Sequence, residues 1–278
     1  IIILDKKTSY SPTAYLAIAQ EYVESYLIDQ TKFDLRIYCL VSSINPLKVY
    51  VYRGGVARFC SQPVDSTDSV FSQLTNTAVN KANPNIQKIE SITQMVNDVF
   101  EKLKTKDKVD IDALWKRIDK AITLTILAAY NYLLQGEEEV CKPCGYSRCF
   151  QILGFDVLLD QNLDPTIMEV NYRPSLETDT KDENAMKCDM LSAAMKIAAP
   201  LNDVQEFLRS KFINENNSDQ HNGSFTISDS DWNQKVKDDF LNQIEIRLKN
   251  TLTENRNKFV QTYPCTYDDT LNKQYNEI

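Results

Sequence analysis

The chain has 278 residues, 42% hydrophobic and 25% charged, which is enough for one large or two modest domains with a sizeable buried core. A net charge of −8 argues against nucleic-acid binding, which rests on lysine and arginine contacts to phosphate, but leaves room for an acidic ligand where basic residues cluster. Seven scattered cysteines, an odd number, do not make the framework of a secreted disulfide protein and point to a reducing cytosol.

From Ile1 to about Lys32 come a short apolar run, a Ser/Pro turn and AIAQEYVESYLI; IIILD is too short for a signal peptide. Three segments then read as strands: DLRIYCLVSS (34–43), LKVYVYR (47–53) and VARFC (56–60). All are rich in β-branched and aromatic residues, and Asn45-Pro46 and Gly54-Gly55 break them, which predicts an antiparallel meander. Within the first, Lys32, Asp34 and Arg36 share one face while Phe33, Leu35 and Ile37 share the other. A cation–anion–cation row of this kind can hold a polyphosphate, or it can be a solvated face with its own ion pair. Arg58 falls on a segment that can present it to the same sheet face.

Two helices follow. IQKIESITQMVNDVFEKL (86–103) reads as one, the more exposed of the two, and Asp110 caps the next, whose Leu114, Ile118, Ile122 and Ile126 recur every four residues as a core-facing stripe. AITLTILAAYNYLL (121–134) falls short of the ~20 apolar residues that span a bilayer, and reads as a buried core helix. Cys141-Lys-Pro-Cys144, with Cys149 nearby, raises a zinc site; no second CxxC follows and the single histidine, His221, is remote, so free thiols near a loop are the simpler reading.

RCFQILGFDVLLDQNLDPTIMEVN (148–171) reads as two strands joined by a turn. A four-residue loop between Asp160 and Pro165 sets Asp156 opposite Glu169, with Asn171 on the same face; a slip of one residue would send Asp156 to the other side. Two carboxylates and a carboxamide without histidine or thiolate form a hard-oxygen set suited to Mg²⁺, although acidic residues at strand ends are also common without a metal. Past Pro200, INENNSDQHNGS has the composition of a surface loop, and Val236, Phe240, Ile244, Leu248 and Leu252 mark a tail helix docked by one stripe.

QEYV (20–23), KFDLRIYCLVSSINPLKVYVYRGGVARF (32–59), LTNTAVNK (74–81) and CFQILGFDVLLD with EVNYRPS (149–175) resemble, in the same order, the tubulin–tyrosine ligase-like family, an ATP-grasp branch that adds amino acids to tubulin. The resemblance is nearest the polyglutamylase branch and runs from about residue 18 to 198. It implies an α+β ATP-grasp fold, with mixed or antiparallel sheets flanked by helices. Residues 1–31 would be a remnant of the central lobe and the adenine hinge, 32–198 the C-terminal catalytic lobe, and 199–278 a loop plus helical extension. The family's first lobe, with its own lysine and glycine-rich loop, is expected ahead of Ile1, so the fold is expected to be incomplete at its N-terminus and the fragment to bind ATP poorly by itself.

The same resemblance implies the site. Gln20, Glu21, Tyr22 and Val23 would meet adenine; Lys32, Asp34, Thr75 and Asn76 would contact the nucleotide; Asp156, Glu169 and Asn171 would hold Mg²⁺. Arg36 would face the transferring phosphate, and Arg58 and Lys187 would grip the incoming amino acid, next to Thr77 and Ala78. The implied reaction is ligation: ATP phosphorylates a side-chain carboxylate of an acidic tubulin tail, and free glutamate attacks the acyl phosphate. Arg36, Arg58 and Glu169 would be the residues nearest that chemistry. Implied too are a monomer that binds neither nucleic acid nor membrane, and a cytoplasmic place at microtubules, including cilia or flagella and basal bodies. Thr77-Ala78 replace a Tyr-Ser pair of the glutamylases, Thr166 replaces a Trp, and Arg173 a small residue, so the donor amino acid is open between glutamate and glycine, and a catalytically inactive tubulin-binding relative stays an alternative.

Overall fold

The computed structural model describes residues 18, 20–64, 69–86, 88–140, 149–198, 234–254 and 258–275. The opening apolar run and turn, the Cys141–Cys144 pair and the Asn-rich stretch at 213–224 lie outside the described residues.

A long hairpin forms the centre. β2 (Thr31–Ile44) follows the short β1 (Leu27–Ile28) and pairs along its length with β3 (Leu47–Phe59). The expected three-strand meander is therefore two strands, because Gly54-Gly55 does not turn the chain. Instead, the register jumps between Ile37 and Cys39, where Tyr52, Arg53 and Gly54 stand against Tyr38 alone. Gly55 lies beside this bulge with φ 146, and a Cβ there would collide with the Arg36 carbonyl oxygen, so the glycine permits a close strand approach. A jump of two residues preserves the alternation of faces, so Arg58 still lies on the side of Asp34.

β5 (Gln151–Leu159) pairs antiparallel with the other edge of β2, and β6 (Pro165–Asn171) pairs with β5. On its outer edge β3 carries β4 (Thr93–Met95) at residues 56–58 and β7 (Phe259–Tyr263) at 49–52. Among the described residues this makes one seven-stranded sheet, all of whose pairs are antiparallel, ordered β4-β3-β2-β5-β6 along its main path.

Beyond the short helices α1 (Val70–Gln73) and α2 (Thr77–Lys81), odd-numbered residues of β2, Phe33 to Val41, face α3 (Val96–Asp107) and α4 (Ile111–Val140). Asp110 caps α4 through the Ala113 N–H at 3.0 Å, and Leu114, Ile118, Ile122 and Ile126 are buried as their spacing requires. Each such side chain contributes about 1.5–3 kcal/mol of burial. Only part of the 121–134 segment is core, since Tyr132 is exposed. The 86–103 segment is helical only from Val96; before it come a 3-10 turn (Ile89–Ser91) and β4, because Thr93–Met95 complete hydrogen bonds that the edge of β3 would otherwise leave open. Its helix is the more exposed of the two, as expected: only Val96, Val99, Phe100 and Leu103 are buried.

The opposite face is divided. α5 (Lys181–Ala198) sets Met190, Ala193, Ala194 and Ile197 on Tyr38, Leu40, Tyr50 and Tyr52, joined by Phe259 and by Leu248 and Leu252 of α6 (Gln234–Glu254). The tail helix thus docks, as its stripe implied. The Lys32–Arg36 half of this face is polar and takes no part in either core. No described helix is long and apolar enough to cross a membrane.

β7 and α7 (Asp269–Tyr275), which the sequence pattern did not announce, are tied in by buried polar groups. Asp119 of α4, fully buried, accepts two bonds from Arg53 (2.8 and 2.6 Å) and one from Tyr267 (2.7 Å), and Arg53 stacks over Trp115. Burial and the neighbouring Asp119 charge hold the Tyr267 phenol far above its ordinary pKa, so it donates at every working pH. Replacing Tyr267 by Phe should cost about 2 kcal/mol, the usual worth of a hydrogen bond to a charged group, read as a lower urea midpoint with an unchanged slope.

Candidate active site

Strand pairing assembles the polar half-face. Arg36 on β2 lies directly across from Asp156 on β5, and Asp156 directly across from Glu169 on β6, so three charged side chains form one row perpendicular to the strands. Two residues along β2, Asp34 lies across from Arg58 on β3. The sequence-based pairing of Asp156 with Glu169 is correct, but by a different route. Next to the turn the register is one residue tighter, with Leu159 opposite Pro165 and Val157 opposite Ile167. A β-bulge at Met168 then restores the face on which Asp156 and Glu169 meet.

The charges are tightly coupled. Arg36 holds Asp156 through Nε at 2.5 Å and its terminal nitrogen at 3.1 Å; Arg58 holds Asp34 at 2.7 and 2.5 Å and reaches Asp156 at 2.8 Å. Asp34 also accepts from the Thr75 hydroxyl at 2.8 Å. Asp34 and Asp156 are buried, and their paired, bidentate guanidinium partners are what make burial tolerable. Burial pushes the Asp156 carboxyl up, but the Arg36 hydrogen bond, the Arg58 and Arg36 charges and a bond with Glu169 outweigh it and hold it below the carboxylate range. Asp156 therefore adds stability that is fully present above the ordinary carboxylate pKa of about 4 and is lost as pH falls through its own lower value. Urea midpoints measured down a pH series should show that acid loss in the parent chain and a shallower one in Asp156→Asn.

Gly154 has a part that its neighbours reveal. It shares the face of Asp156, and a Cβ there would come within 2.7 Å of the Pro174 ring and 3.1 Å of the Arg36 Cδ. Its absence lets the Arg36 side chain lie across β5 to reach Asp156. Period-two alternation in GFD carried this signal, since it places the glycine beside the aspartate.

Lys32 is buried with its ammonium 4.1 Å above the Tyr22 ring, which links the row to the exposed Gln20, Glu21, Tyr22 and Val23 segment. Asn76 caps the short helix α2 (Thr77–Lys81), accepting from the N–H groups of Ala78 and Val79, so Thr77 and Ala78 form its first turn. Asn80, fully buried, bonds the Leu74 and Asn76 carbonyls and the Ser61 N–H, which pins the Thr75 loop over Asp34. Lys81 of this helix meets Asp179, at the far side of the loop after β6, at 2.6 Å.

Lys187 is not in the row. It is buried on α5, with its ammonium 2.7 Å from Glu183 and 2.5 Å from the Glu177 carbonyl, where it holds the 177–180 loop. Glu169 is exposed and accepts from the Asn171 amide at 2.9 Å, which leaves the Asn171 Oδ1 as that side chain's atom for a cation. Among the described residues no three His, Cys, Asp or Glu side chains surround a common point. A cation here would draw on Asp156, Glu169, Asn171, water and a substrate oxygen, and this hard-oxygen set fits Mg²⁺.

The sequence profile described as the tubulin-tyrosine ligase family matches residues 1–206. Among curated proteins, the mouse (Mus musculus) tubulin polyglutamylase TTLL6 is 36% identical over 187 residues, 64% of this chain and 23% of its own length. The Danio rerio tubulin polyglutamylase ttll6 is 38% identical over 183 residues, 63% of this chain and 23% of its own. A probable beta-tubulin polyglutamylase of Tetrahymena thermophila is 31% identical over 201 residues, 67% of this chain and 17% of its own. The chain spans about a quarter or less of the length of these relatives.

Proposed function

Because the chain belongs to the tubulin-tyrosine ligase family, we propose that it is the nucleotide- and metal-handling part of an ATP-dependent ligase of the ATP-grasp type, acting at microtubules in the cytoplasm. The reaction is attachment of glutamate to a glutamate side chain of an acidic tubulin tail through an acyl phosphate. The observation that carries this reading is the Arg36–Asp156–Glu169 row with Arg58 and Asp34 beside it, on the half of the sheet that no apolar layer covers among the described residues.

Each residue has work to do there. Gln20 to Val23 border the row at Lys32 and present backbone to the adenine, and Lys32, Asp34, Thr75 and Asn76 line the nucleotide's path. Arg36 offers a planar pair of donors to a phosphoryl group, and Arg58 places a second guanidinium beside it for phosphate or for the carboxylate of the incoming amino acid. Asp156, Glu169 and Asn171 hold Mg²⁺, which when bound neutralises polyphosphate charge. An arriving polyphosphate competes for both guanidinium groups and so releases Asp156 oxygens from them. Lys187 would have to exchange the Glu177 carbonyl to meet the amino acid; otherwise its part is to hold the loop that carries Asp179.

Thr77 and Ala78 are accessible on the first turn of α2, next to the pinned Thr75 loop, and they bear on the donor. The test is to incubate the complete protein with ATP, Mg²⁺, tubulin and labelled glutamate or labelled glycine. Label from glutamate on the tubulin tail is the expected result. Label from glycine alone would assign a glycylase, and no label from either a catalytically inactive tubulin binder.

A further inference from the structure

β6 is the last strand of the sheet, and among the described residues it pairs only with β5. An open strand edge is a row of unmet N–H and C=O groups that invites another extended chain. Two features set this edge apart from a blunt one. The bulge at Met168 interrupts the half near the turn, which leaves Glu169–Asn171 as the regular run. That run is also where the Arg36–Asp156–Glu169 row ends, so a strand added to it places one of its own side chains next in the row, about 4.8 Å beyond Glu169.

We infer that the free edge of β6 is the seat of the acceptor peptide, which pairs with Glu169–Asn171 by main-chain hydrogen bonds and so delivers alternate side-chain carboxylates to the row. This rests on the ligase reading. Strand pairing is indifferent to side-chain identity, which suits a flexible, repetitive acidic segment. Its positions facing the other way meet Val170, which is 40% exposed on the side opposite Glu169, and Tyr172, 68% exposed at the strand's end. Arg173, stacked at 5.5 Å on the Tyr172 ring, supplies a cation at that end for a further carboxylate.

The test is a backbone N-methylation scan of a short synthetic glutamate-rich peptide, titrated onto the complete protein by fluorescence anisotropy. Every variant is in the peptide, so the protein's fold is untouched. Methylation at every second position should weaken binding about tenfold, one main-chain hydrogen bond, while intervening positions whose N–H points to solvent change little. A profile without that period of two, or no binding of the parent peptide, overturns the inference. So does self-association of the protein through this edge, read by sedimentation as a dimer that the peptide cannot enter. Label transfer with a flat profile would leave the ligase standing and remove the edge pairing; a period-two profile without label transfer would do the reverse.

Discussion

Glu169→Gln should lower ATP-dependent amino-acid transfer by about a hundredfold or more, the scale on which a preorganised charge-stabilising group is usually missed, while the unfolding midpoint stays in place. Glu169 is exposed on an edge strand, and its neighbours are Asn171 and Asp156. Glutamine keeps the shape and the oxygen that accepts from Asn171, so the fold should feel it by no more than about 0.5 kcal/mol. What it removes is one of two carboxylates facing the row, and with it the charge that a hard cation requires. Parallel assays of labelled glutamate transfer and urea unfolding separate the two effects. Full transfer by the variant would take Glu169 out of the site.

Arg58→Met should be the most destabilising single change in the polar half-face, at about 3–5 kcal/mol, because it strips a guanidinium from two buried carboxylates at once. Among the described residues, Asp34, 1% exposed, would keep the Thr75 hydroxyl, and Asp156 would keep Arg36 and its bond with Glu169. The loop that Thr75 anchors should loosen as well, so nucleotide affinity should fall with stability. The companion change is Asp34→Leu. If the cost comes from the stranded charge, the double variant Arg58→Met/Asp34→Leu recovers much of the loss, since apolar replacements of a buried pair are commonly neutral. Strict additivity of the two losses in a urea-unfolding cycle would instead mean that the pair is not coupled in solution.

Several parts of this arrangement were legible in the residues themselves. The four-residue stripe from Leu114 to Ile126 faces the core because a helix turns every 3.6 residues, and its cap at Asp110 is a local hydrogen bond. Lys32, Asp34 and Arg36 share a face because alternation along a strand is equally local. Other parts were out of reach. Gly54-Gly55 looks like a turn, yet a long partner strand keeps β3 straight through a bulge. Thr93–Met95 lie in a helical pattern but are drawn into the sheet by the open edge of β3, and Phe259–Tyr263 are recruited to the same edge from two hundred residues away.

By itself the sequence determined which residue types occur at which alternation: an antiparallel strand pair carrying Asp156 and Glu169, a cationic strand with Lys32 and Arg36, and the family motifs that join them. Only the tertiary structure decided that these faces coincide. The bulge at Met168 corrects a turn that is one residue too tight, and the jump at Tyr52–Gly54 brings Arg58 to Asp34; changing the first by a single residue would turn Glu169, and changing the second would turn Arg58, toward the apolar layer. Register of that kind is a contest among long-range hydrogen bonds and core packing, and no local stretch of chain contains its outcome.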